Sequence, residues 1–127
     1  MAAPNIINIT SLVPHTVYVT PANTSRNALV AAPATGTAYK INQIVVSNID
    51  GTSAYNATVE LRLADGTTYV AVGSTISVPA NASLIMVDKT TMLYLLDTSV
   101  TGEASTIWVT SSTASKLVFT CSYEAIS

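Results

Sequence analysis

The sequence has 127 residues and a mass of 13.2 kDa, one domain's worth and enough to bury a core without disulfide staples. Hydrophobic residues make up 49%, mean hydropathy is +0.44, and charged residues are only 9%, against roughly 25% in an ordinary globular chain. Net charge is −2 and each of the five cations stands alone, which argues against a phosphate-backbone binder; no window approaches the ~18 apolar residues of a membrane-spanning helix.

In place of charge the chain carries 19 Thr, 14 Ser and 17 Ala, so its surface is hydroxyl, methyl and backbone. Such a surface repels its neighbours weakly, which marks it as one that associates. The start of the chain, MAAPNIINITSLVPHTVYV, lacks the charged n-region and continuous apolar h-region of a signal peptide, so the expectation is a protein made and used without export. Within it, residues 1–12 read as an arm on a single domain spanning 1–127. Its Ile6, Ile7 and Ile9 are suited to adding a strand to a neighbour's sheet edge.

IINIT, HTVYVT and NALVAAP are short strand candidates between Pro- and Ser/Thr-rich turns. The clearest period-two pattern follows. From Tyr55 to Ala64, Tyr55, Ala57, Val59, Leu61 and Leu63 face one way, while Asn56, Thr58, Glu60 and Arg62 face the other. Asp50-Gly51 precedes this stretch and Asp65-Gly66 follows it, and Asp-Gly favours tight hairpins. Tyr39–Ile49, Tyr55–Ala64 and Thr68–Val78 are therefore predicted to form an antiparallel meander. The first of these slips phase, from Tyr39 and Ile41 to Ile44 and Val46, so a bulge is expected at Asn42-Gln43. The third carries Val70, Val72, Ile76 and Val78 on one face, with Gly73 expected to mark a bend where the strand changes sheets.

After Pro79, SLIMVD and MLYLL are apolar on both faces, a pattern of strands covered on both sides, with a neighbouring subunit able to supply the second cover. STIWVT and KLVFTCSYEAI close the chain as strands, the latter with Leu117, Phe119, Cys121, Tyr123 and Ala125 on one face. No stretch of ten residues keeps helical spacing with a cap. The sum is an all-β antiparallel sandwich, jelly-roll-like, of about eight or nine short strands.

Residues suited to chemistry are sparse. His15, the single histidine, sits beside Pro14 with no motif around it and reads as a turn or surface residue. Cys121, the single cysteine, permits no internal disulfide and reads as a small buried hydrophobe rather than a nucleophile. Asp97 and Glu103 bracket a loop too poor in oxygen ligands for calcium. The five glycines are dispersed, so there is no phosphate loop, and the four Asn-x-Ser/Thr sequons (Asn8, Asn23, Asn56, Asn81) are what eight Asn among so many hydroxyls produce. Neither catalytic residues, nor a metal, nor a cofactor is expected. Trp108 alternates against Ile107 and Val109 and reads as a core or subunit-interface tryptophan; with Tyr94 or Tyr123 it would instead form a sugar-stacking platform.

Several segments resemble a family of small virion structural proteins of tailed phages, common among marine and freshwater phages including cyanophages. The segments are Tyr39–Ile44 (aromatic-Lys-Ile-Asn-x-Ile), Asn48–Thr52 (an Asp-Gly-Thr turn), Ile76–Ala80 (Ile-Ser-Val-Pro-Ala), Val87–Lys89 and the closing Phe119–Ser127, with Ala28–Val30 upstream. They cover about the last hundred residues. The loop LDTSVTGEAS is longer and less acidic than the family's turn after its Leu-Tyr-Leu strand. The resemblance implies a non-enzymatic virion component, made in the bacterial host cytoplasm and placed on the phage head as a decoration or cement protein at capsomer junctions. A neck or tail component is the alternative, and a carbohydrate-binding adhesin module a second. The partners expected are the major capsid protein and further copies of the chain, as a trimer, with Ile6, Ile7, Ile9, Tyr94 and Trp108 as interface residues; neither nucleic acid nor membrane is expected.

Overall fold

The computed structural model describes residues 11–127. Pairing starts with the first described residue. Ser11 and Ser127 exchange backbone hydrogen bonds of 3.1 and 3.0 Å, and β1 (Leu12–Val19) runs antiparallel to β9 (Leu117–Ile126) along its whole length. Between them lie β2 (Asn27–Val30), β3 (Ala38–Asn48), β4 (Tyr55–Leu63), β5 (Tyr69–Val78), β6 (Ser83–Val87), β7 (Leu93–Leu95) and β8 (Ala104–Ser111). There is no α-helix among the described residues, only a single 3-10 turn at Lys89–Thr91. Among the described residues no helix is long and apolar enough to cross a membrane.

The strands form two sheets. The first has the order β1-β9-β3-β6, with β7 continuing beyond β6 along the same side of β3; the second has the order β2-β8-β4-β5. Every pairing is antiparallel. Setting the short β7 aside, the first strand pairs with the last, the second with the second-last, the third with the third-last, and the middle two with each other. That nesting is one long hairpin rolled into two sheets, which is the jelly roll.

The core lies between the sheets. Phe119, Ile41, Ile44, Leu95, Ile107 and Leu117 are its largest fully buried side chains, backed by a set of valines including Val46, Val59, Val78 and Val109. The period-two pattern of β4 holds: Ala57 and Val59 are fully buried, and Leu61 packs against the core. The predicted bulge is present. The β3–β9 register shifts between Ile41 and Gln43, and the displaced Asn42 gives its amide to Glu124 at 3.1 Å.

Three expectations for the middle of the chain are corrected. Tyr39–Val78 is not a meander. β3 belongs to the first sheet and β4 to the second, so Asp50-Gly51 lies in an arch between sheets. Buried Asn48 sets the corner. Its amide donates to Ser53 O (2.9 Å) and to Val78 O at the end of β5 (3.0 Å), while its carbonyl oxygen accepts the Asp50 N–H (2.9 Å). Gly51 has no positive φ, which a type I′ hairpin would demand. Asp65-Gly66 does make a hairpin, over Ala64–Thr67 with Gly66 at φ 75°. Gly73 does not carry β5 to the other sheet. The β4–β5 register slips there twice, Val59 facing Gly73 and Ala57 facing Ile76, with Thr75 at φ 54° and its N–H held by Thr58 Oγ1 at 2.9 Å. It is a bulge on an edge strand, and Val70, Val72 and Ile76 are left exposed; only Val78 is buried.

Among the described residues, the segments after Pro79 are not covered on both sides. Leu84 and Met86 pack on the core, whereas Ile85 and Met92 are 62% and 64% exposed.

Candidate functional site on the outer face of the second sheet

Alternation along β4 and β8 sends Glu60, Arg62, Thr58, Thr106, Trp108 and Thr110 away from the core. The register then sets them in rows: Thr58 opposite Thr110, Glu60 opposite Trp108, and Arg62 between Thr106 and Tyr69 of β5. Arg26 enters from the loop before β2 and reaches across the sheet. Its Nε donates to Glu60 Oε1 at 2.9 Å and its Nη2 to Oε2 at 3.2 Å, a bidentate pair. The same guanidinium lies 3.9 Å above the centroid of the Tyr69 ring. Tyr69 meets Trp108 edge to face, with centroids 6.3 Å apart. The guanidinium of Arg62 stands 4.9 Å from the Trp108 centroid, and the indole Nε1–H donates to Thr106 Oγ1 at 3.1 Å. Each ring thus carries a cation over one face, as the ring quadrupole favours. Glu60 holds the Arg26 guanidinium firmly in its charged form.

Trp108 is therefore neither in the core nor stacked with the aromatics predicted for it. Tyr94 lies on β7 and Tyr123 on β9, both in the first sheet. Tyr123 packs instead with Tyr39 (centroids 4.5 Å apart) and with His15, which stacks on it at 5.2 Å from an exposed strand position rather than a turn. Tyr94 and Trp108 thus do not lie on a common surface. Ile6, Ile7 and Ile9 lie outside the described residues. Of the arm predicted over residues 1–12, Leu12 pairs with Ile126 in β1.

The remaining chemistry-bearing residues are dispersed. Cys121 is fully buried, and burial pushes its thiol up to about 12. Asp97, also buried, accepts from the Ser99 N–H (2.8 Å) and from the Ser99 hydroxyl rather than turning to Glu103. Among the described residues no three His, Cys, Asp or Glu side chains come together. The outer face of the first sheet contrasts with that of the second. Three successive cross-strand rows, Thr16–Ser122–Gln43, Tyr18–Thr120–Val45–Ile85 and Val118–Ser47–Ser83, contain no charged residue. Tyr18 and Ile85 at its margins are 75% and 62% exposed.

Sequence comparisons return no family model and no curated protein. Solved structures do match. A mutant VP2 protein of infectious bursal disease virus, in derived T=1 particles, is similar at 13% identity and a TM-score of 0.45, over 93% of this chain and 32% of that one. The structures of the Gt and Gx strains of the same virus are each 15% identical over 89% of this chain and 32% of theirs, with TM-scores of 0.37 and 0.38. The chain spans about a third of the length of the solved structures it matches. Nothing about what this chain does follows from likeness at that level.

Proposed function

We propose that this chain is a non-enzymatic structural protein of a phage virion, a decoration protein that lays the outer face of its first sheet on the capsid. The observation that carries this reading is the difference between the two outer faces. One has three uncharged rows of hydroxyls, Gln43, Val45, Val118, Tyr18 and Ile85, with the Lys40–Glu124 row at their edge; the other bears the Arg–Glu–aromatic cluster. Burying aliphatics is favourable and burying a hydroxyl costs little once it is hydrogen-bonded across the contact, whereas burying a lone ion costs far more. A core filled by aliphatic side chains and Phe119 supports a rigid tile rather than a ligand cavity. Three rows of three or four strands each cover roughly 300 Å² at standard strand spacings, less than the ~800 Å² per partner of a stable interface. Attachment through this face therefore calls for further contacts from edge strands or adjacent copies, which supports a closed homo-oligomer such as a trimer.

The test is the copy number of the chain in purified virions, paired with attachment of the Ile85→Lys protein to undecorated heads. A ratio near that of the major capsid protein, and loss of attachment on Ile85→Lys with an unchanged melting temperature, are expected. A copy number of one ring would place the protein at the neck or tail instead. Absence from particles would overturn the virion reading altogether.

A further inference from the structure

The two arginines on the second sheet are differently satisfied. Arg26 is matched by Glu60 through two hydrogen bonds. Arg62 makes neither an ion pair nor a side-chain hydrogen bond among the described residues, and its Nε is buried without an acceptor. Two guanidinium groups against one carboxylate leave this cluster with an excess positive charge. A guanidinium stacked on an indole keeps the N–H groups of its outer edge free to grip a carboxylate, and the two terminal nitrogens of Arg62, unlike its Nε, are not buried. Next to it, on the far side of its cross-strand neighbour Tyr69, a groove is lined by the hydroxyls of Thr24, Ser25, Thr58 and Thr110 together with Arg26, Glu60 and Tyr69.

We infer that this face binds an acidic saccharide, with the sugar carboxylate accepted by Arg62 and the sugar hydroxyls by the Thr, Ser and Glu60 oxygens of the groove. A polyol needs partners that both donate and accept, which hydroxyl side chains provide. A neutral sugar stacked on a ring would need an uncovered aromatic face, and both Tyr69 and Trp108 already carry a guanidinium. A free phosphate or a peptide carboxylate would satisfy Arg62 and leave the hydroxyl groove unused. The site faces away from the surface proposed to meet the capsid, so its failure and that of the virion reading are separable.

Trp108 is the only tryptophan in the sequence and lies directly under Arg62, so its emission reports the site. The full chain is titrated with a hexameric oligogalacturonate, with maltohexaose and with inorganic phosphate, following emission and heat of binding. A saturable response to the oligogalacturonate alone is expected, weakening as salt is raised. Arg62→Gln should bind at least tenfold more weakly, and Thr110→Val, which alters only a groove hydroxyl, several-fold more weakly. No response to the oligogalacturonate, an equal response to maltohexaose or to phosphate, or full binding by Arg62→Gln would each overturn the assignment.

Discussion

Cys121 shows how far a single side chain can be read from its neighbours in sequence. Its partners in alternation, Leu117, Phe119 and Tyr123, declare its face, and the structure buries it with them. With the thiol held near 12, the reactive thiolate is scarce at ordinary pH. Native protein should therefore resist iodoacetamide at pH 8 for hours and take up one equivalent within minutes in denaturant. Rapid labelling of the native protein, read by mass, would contradict the burial. The same alternation places Trp108 opposite Ile107 and Val109, but which way the pair points, and what meets the indole, are not written locally. Arg62 and Tyr69 reach Trp108 through strand register, and Arg26 reaches Glu60 from a loop across the sheet. Spacing along the chain carries no trace of such contacts, so the cluster stayed invisible while each of its members was in plain view.

Turns obey a more uniform rule than the strands they join. All four aspartates stand in Asp-x-Thr/Ser: Asp50 with Thr52, Asp65 with Thr67, Asp88 with Thr90 and Asp97 with Ser99. In each the carboxylate accepts the N–H two residues on, at 2.8 to 2.9 Å, closing an Asx-turn. Thr52 and Tyr55 hydroxyls add to Asp50, and the Thr68 hydroxyl to Asp65. These bonds to the ionised form hold Asp50 and Asp65 at about 2 and lower Asp88 and Asp97 as well. A carboxylate lowered on folding contributes stability above its unfolded value, about 3.9, and loses it as pH falls through the folded one. The urea midpoint should accordingly be flat above about pH 5 and drop between about pH 4 and 2. Asp65→Asn should lower the midpoint at neutral pH and shallow the acid limb; an unchanged limb would refute the role of that turn. The two Asp-Gly pairs also mark the limit of local reading. Both are turns, as the dipeptide says. Whether a turn closes a hairpin or crosses between sheets depends on Asn48 and on which strand waits beyond, and only Asp65-Gly66 closes one.

For the molecule as a whole, strand count, the phase slip in β3 and the sandwich class were legible because each rests on period-two patterning. The nested order was not, since every pairing but β4–β5 joins distant segments and hydrophobic pattern alone does not rank partners. That order has a kinetic reading. β4–β5 closes over a few residues, whereas β1–β9 brings Leu12 to Ile126. Chains dominated by such distant contacts fold on the scale of roughly milliseconds to seconds. Single-exponential refolding in that range is expected, with substitutions in the Asp65 turn slowing folding and substitutions in β1, such as Val17→Ala, chiefly accelerating unfolding. The opposite pattern in a denaturant chevron would place nucleation at the chain ends. The uncharged row Tyr18–Thr120–Val45–Ile85 draws one residue from each of β1, β9, β3 and β6, so it comes into being only when the outermost strand pair closes. A particle that gathered its subunits by this surface would inspect them as it did so, since a truncated or half-folded copy would have nothing to present.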